Sequence, residues 1–195
     1  GNGGGCDLKY PEGLYGDLID FTVSSTSTYT VPTGKRLYIT KINNTDDISI
    51  DGVFIFNKIS NVYYRDLYSP IIVNENQIVS PTIANYSSNL HGILVDASSD
   101  IQAITSSSTY TVPIGRKMVI THATQAGGQI QINGLNIHAT DQELVQPLII
   151  DEGDILTLNG RSFNGYLVDE NYFADCGGGG SSSSGGSNNS AGGSG

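Results

Sequence analysis

The sequence predicts an all-β protein: two tandem β-sandwich, jelly-roll-like repeats followed by a glycine/serine-rich C-terminal tail. Three observations predict it. Thr28-Tyr29-Thr30-Val31-Pro32-Thr33-Gly34-Lys35 returns as Thr109-Tyr110-Thr111-Val112-Pro113-Ile114-Gly115-Arg116, and three further anchors follow in the same order. These are Ile48–Gly52 with Ile130–Gly134, Pro70–Glu75 with Pro147–Glu152, and His91–Asp96 with Asn164–Asp169. One structural unit is therefore used twice. Second, apolar and polar residues alternate with period two in Leu37-Tyr38-Ile39-Thr40 and Met118-Val119-Ile120-Thr121, among residues whose branched or aromatic side chains suit a pleated surface. Third, turn formers recur at short intervals, with Asp51-Gly52, Asn133-Gly134 and Asn159-Gly160 supplying the positive φ that tight hairpins need.

Taken in order, residues 1–14 form a glycine-rich segment holding Cys6. Residues 15–96 are the first sandwich repeat. Its isoleucines Ile39, Ile50 and Ile72 are expected to occupy the positions of Ile120, Ile132 and Ile149 in the second, all facing a core. Residues 57–69 are the main insertion of the first copy and read as a long exposed loop. The joint Ala97-Ser98-Ser99-Asp100 is short, which predicts a nearly fixed angle between the units. Residues 97–176 are the second repeat, where Thr140-Asp141-Gln142-Glu143 has the spacing of a capping box for one helical turn. Residues 177–195 contain only Gly, Ser, Asn and Ala, so ordering them requires a surface supplied by another subunit, for instance by strand addition.

Composition excludes several functions. Nineteen acidic against nine basic side chains give a net charge of −10, which repels nucleic acid and anionic lipid. No apolar run approaches the roughly 20 residues of a membrane-spanning helix. His91, His122 and His138 lack metal-ligand spacing, and neither a nucleophile elbow nor a phosphate loop is present, so no catalytic residue, cofactor or metal is expected. Asp46, Asp47 and Asp51, and Asp151-Glu152-Gly153-Asp154, carry oxygen donors that suit part of a calcium site, yet Asp151-Glu152 aligns with Asn74-Glu75 and a shared turn accounts for both.

Cys6 and Cys176 bracket the repeats, and a disulfide between them fits a β-rich extracellular chain. The bond can close within one chain or link the tail of one subunit to the head of the next. Of eleven tyrosines, Tyr29 and Tyr110 share a repeat position at the core edge. Tyr63, Tyr64 and Tyr68, with Arg65, lie in the insertion and are candidates for contact with a ligand or partner.

The order Tyr-Thr-Val-Pro-x-Gly-Lys/Arg, then an Asp/Asn-Gly hairpin, then the turn after Pro70 or Pro147, then His/Asn-Gly-x-Leu-Val-Asp, resembles β-sandwich modules of phage fibre and spike proteins and related bacterial surface proteins. The resemblance spans residues 24–170 and implies a structural or adhesive role without catalytic residues. The expectation is a non-enzymatic subunit of an extracellular assembly, a surface filament or virion fibre, whose partner is another copy of itself. The alternative is a carbohydrate-binding module that stacks a cell-surface glycan on Tyr63, Tyr64 and Tyr68.

Overall fold

A computed structural model describes residues 6–44, 47–56, 64–82, 87–124, 128–138 and 144–176. The first unit runs through β1 (Asp17–Ser24), β2 (Tyr29–Thr30), β3 (Lys35–Asn44), β4 (Ile48–Ile50), β5 (Val53–Phe56), β6 (Tyr64–Val73), β7 (Ile78–Pro81) and β8 (Ser87–Asp96). The second repeats the series as β9 (Gln102–Ser106), β10 (Tyr110–Thr111), β11 (Arg116–Ala123), β12 (Ile130–Ile132), β13 (Leu135–His138), β14 (Leu148–Ile150), β15 (Ile155–Thr157) and β16 (Phe163–Asp169). Strands pair in the orders β1-β8-β3-β6 and β2-β7-β4-β5, and again β9-β16-β11-β14 and β10-β15-β12-β13. Two four-stranded antiparallel sheets joined in this crossing order are a jelly roll, here built twice with the same topology. A single turn of 3-10 helix (Ala174–Cys176) ends the described chain.

The repeated motifs become repeated devices. Asp51 and Asn133 take φ of 49° and 51°, and the glycines after them 79° and 78°, closing β4–β5 and β12–β13 with two-residue turns of left-handed backbone. Each turn residue also ties the neighbouring strand: Ile78 N–H donates to Asp51 Oδ1 at 2.8 Å, and Ile155 N–H to Asn133 Oδ1 at 2.9 Å. The Pro-x-Gly turns are held alike, Gly34 N–H donating to the Glu75 carboxylate and Gly115 N–H to that of Glu152. Of the candidate calcium carboxylates, Asp51 and Glu152 are thus engaged in turn bonds, and Glu75 and Glu152 mark the same turn in the two units. Asp46 lies outside the described residues.

β3 and β11 each carry a bulge at the same place, with Thr40 and Thr121 as the extra residues. Ile39 lies opposite Gly92, and Ile120 opposite Gly165. The bulge brings the two backbones close, so a Cβ at Gly92 would sit 2.6 Å from the Tyr38 carbonyl oxygen, and one at Gly165 2.1 Å from that of Val119. Only glycine fits either position.

Each unit has its own apolar core. Leu37, Ile39, Ile48, Ile50, Ile71 and Val79 centre the first; Met118, Ile120, Ile130, Ile150 and Leu156 centre the second. Tyr29 stacks on Phe21 at 4.2 Å and Tyr110 meets Phe163 edge-on at 6.0 Å, both at core edges as expected. Ile39 and Ile120, Ile50 and Ile132, and Ile72 and Ile149 hold matching register positions. The third pair does not face a sandwich core, however. Ile72 pairs with Tyr38 and Ile149 with Val119, one residue out of phase with Ile39 and Ile120, so both lie on the outer sheet face. Ile72 is buried there against the other unit, whereas Ile149 is 47% exposed.

The expected loop over residues 57–69 is also corrected. β6 begins at Tyr64, because β3 continues past its bulge and Lys41, Ile42 and Asn43 pair with Asp66, Arg65 and Tyr64. Residues 57–63, including Tyr63, lie outside the described residues, as do Thr140–Glu143 and the tail 177–195.

Replacing Gly165 with Ala should lower stability by about 2–4 kcal/mol, as a Cβ forced against backbone must move a strand. Gly92→Ala should act in the same direction and somewhat less. Chemical denaturation checks this, and unchanged midpoints would contradict the bulge geometry.

Candidate functional site

The most elaborate constellation of buried groups lies where the units meet. Tyr38, Ile72 and Val95 of the first unit and Ile101, Ala103, Val119, Tyr166 and Val168 at the second form a third apolar core, distinct from the two sandwich cores. Strand β6, at the edge of its sheet, lies across the outer face of β9, β16 and β11.

An edge strand brings unpaired N–H and C=O groups, which burial would leave costly. Two asparagines resolve this. Asn164, wholly buried on β16, accepts from Ile72 N–H at 2.6 Å and donates through Nδ2 to the Ile72 carbonyl at 2.7 Å and to Thr105 Oγ1 at 2.9 Å. Asn74, just past β6, does the reverse: it donates to the Ala103 carbonyl at 2.7 Å and accepts from Ala103 N–H at 3.0 Å. Each side-chain amide thus pairs with a peptide group of the opposite unit as another strand would. His122 adds a third link, its Nε2–H donating to the Ile55 carbonyl at 3.0 Å while the ring stacks near Phe56.

Both chain ends close over this joint. Leu8 and Tyr10 from the N-terminal arm and Tyr172 and Phe173 from the C-terminal end pack on the third core. Tyr166 donates to the Leu8 carbonyl at 2.9 Å, and Tyr172 to that of Pro11 at 3.1 Å. Glu12 is buried beneath: its carboxylate accepts from Tyr38 Oη at 2.8 Å and Ser98 N–H at 2.5 Å, and lies 3.4 Å from Arg36 Nε. Arg36 is buried too and donates to the Ile101 carbonyl at 2.8 and 2.7 Å and to that of Ser98 at 3.2 Å. One ion pair therefore pins the arm, the first sheet and the inter-unit linker. Cys6 and Cys176 complete the closure as a disulfide within one chain, Cα atoms 5.2 Å apart across 170 residues of sequence. That selects between the two pairings the sequence left open.

Burial pushes the Tyr38 and Tyr166 phenols far above their ordinary value, with the Glu12 carboxylate adding to the shift at Tyr38. Tyr10 and Tyr172 move the same way, again chiefly through burial.

The sequence-nominated residues fall in several places. Tyr68, half-exposed on β6, offers its carbonyl to Lys9 Nζ at 2.7 Å. Tyr64 and Arg65 are strand residues paired with Asn43 and Ile42. Asn164, Asn74, Glu12 and Arg36 were not singled out. One signal was available for Asn164: it interrupts the apolar run Phe163–Val168, whose neighbours are buried on both sides of the strand.

The first unit carries the same rung on its own outer face. Asp20, His91 and Lys41 hold the register positions of Thr105, Asn164 and His122. There His91 Nδ1 meets Asp20 Oδ1 at 2.7 Å, and Thr22 donates to Asn89 at 2.7 Å. With Asn43 these side chains line an open groove of about 300 Å³. Among the described residues no group of three or more His, Cys, Asp or Glu is placed to hold a metal ion, and no helix is long and apolar enough to cross a membrane.

No protein-family model matches the chain, and no curated protein does. Among solved structures, A223, a turret protein in Sulfolobus turreted icosahedral virus, aligns at 15% identity over 79% of this chain and 98% of that one, with a TM-score of 0.23. At that TM-score the superposition is loose and says nothing about the role of this chain.

Two predictions follow the joint. Reducing the disulfide, or replacing Cys6 and Cys176 with Ser, should cost up to about 5 kcal/mol, the loop-closure value for so long a loop. Paired denaturation curves with and without reductant check it; coincident curves would contradict it. Because buried phenols keep their protons in the folded chain and lose them near pH 10 when unfolded, their contribution to stability should be constant below about pH 9, and stability should fall above it. Tyrosine absorbance during alkaline titration should show a late group ionising together with unfolding. Reversible ionisation of all eleven tyrosines near pH 10 would contradict the burial.

Proposed function

We propose that this chain is a structural subunit of an extracellular assembly, a surface filament or virion spike, built by head-to-tail self-association. The single observation that carries the reading is the joint: two jelly rolls fixed at one angle by paired amides, a buried ion pair and a disulfide between the chain ends. Such investment in relative orientation suits a load-bearing module, which must transmit geometry from one contact to the next. The disulfide fits an oxidising environment outside the cytosol. Among the exposed large apolar side chains, Leu14, Tyr15 and Leu18 lie on or beside the first unit and Leu135, Ile137, Val145 and Ile149 on the second, while Tyr68, Ile78, Ile114 and Ile155 are exposed outside these two sets. Two separate sticky surfaces are what a repeating heterologous contact requires.

Light scattering of the purified full chain across a concentration series tests the reading. Oligomers that grow with concentration are expected. A strict monomer at every concentration would overturn it, and a monomer that also binds glycans through Tyr68 would favour an adhesion module instead.

A further inference from the structure

We infer that the joint inside the chain is repeated between chains: the β13–β14 edge of one copy docks on the outer β1-β8-β3 face of the next, as β5–β6 docks on β9-β16-β11 within each. This inference rests on the proposed self-association and names its two surfaces. The internal contact is heterologous, joining an edge of the first unit to a face of the second. Because the units are copies, it leaves the second unit's edge unused and, on the first unit's outer face, the strip beside Tyr38, Ile93 and Val95, which the third core already takes up. The unused edge carries Ile149 and Ile137, 47% and 48% exposed, where their equivalents Ile72 and Ile55 are wholly buried. The unused strip carries Leu18, 69% exposed, where its equivalent Ala103 is buried and clamped by Asn74.

The polar rung fits as well. His91 stands where Asn164 pairs with a strand edge, and its ring can donate to or accept from a backbone group of Ile149. Lys41 stands where His122 donates to a carbonyl, and an ammonium can serve the carbonyl of Ile137. Ile149 pairs with Val119 on β11, as Ile72 does with Tyr38 on β3, so its outward N–H and C=O face the same free edge. The N-terminal arm already covers Tyr38, leaving Leu18, Asp20, His91 and Lys41 as the open part of the face. Asp20 and Lys41 in place of Thr105 and His122 make this outer joint reversible and salt-sensitive where the inner one is permanent.

The test uses two full-length variants, Ile149→Asp on the edge and Leu18→Asp on the face, each checked for wild-type circular dichroism. By sedimentation velocity the wild type should assemble, each variant alone should be monomeric, and their equimolar mixture should give a one-to-one dimer and nothing larger. Where either aspartate variant fails to fold, the glutamine pair Ile149→Gln and Leu18→Gln replaces it with the same expected pattern. Wild-type assembly that survives both substitutions would overturn the inference while leaving the structural reading intact. Monomeric variants that form no dimer when mixed would also overturn it, since that marks a self-complementary contact. A monomeric wild type would remove the structural reading and the inference together.

Discussion

Everything distinctive about this molecule depends on burying the edge of a β-sheet. An edge strand exposes peptide groups that water must satisfy, and it is normally kept at the surface for that reason. Here β6 is pressed onto the face of a neighbouring sheet, and Asn164 and Asn74 supply the missing donors and acceptors. With those amides in place, Ile72, Val119 and Ala103 can form an apolar core between the units. Without them each buried peptide group would cost about 1–3 kcal/mol, enough to hold the units apart.

The rest of the joint protects that core. The arm and the C-terminal turn lie over it, and the disulfide keeps them there. The Arg36–Glu12 pair is buried, which by itself is no guarantee of stability. Its effect is positional: the guanidinium holds linker carbonyls at Ser98 and Ile101, and the carboxylate holds Tyr38 and the Ser98 amide. Three segments distant in sequence meet at one pair of charges.

Much of the fold was legible because local chemistry alone dictates it. Asp51-Gly52 and Asn133-Gly134 announce their turns, since few residues accept that backbone. The repeated Glu after Pro70 and Pro147 marks one turn twice, and the structure gives both the same bond. What stayed hidden depends on the partner across the joint. Ile72 and Ile149 hold equivalent register positions but differ in exposure, because Ile72 lies under the second unit while Ile149 is left 47% exposed. Periodicity reports that a residue alternates; it cannot say which face a tertiary contact will cover. Likewise Asn164 and His91 occupy one repeat position, and only the packing shows that the first clamps a strand while the second lines a groove. The insertion read as a loop because its polar residues masked β6, whose start is set by the length of β3.

Amide hydrogen exchange at Ile72 tests the central claim most directly. Its N–H donates to the Asn164 side chain across the joint, and in a free first unit it would face solvent at a sheet edge. If the joint is a fixed part of the folded chain, this amide should exchange as slowly as those of the sandwich cores, through global unfolding. Exchange at the rate of an open edge strand, with the cores still protected, would show that the two jelly rolls separate readily and would contradict the account.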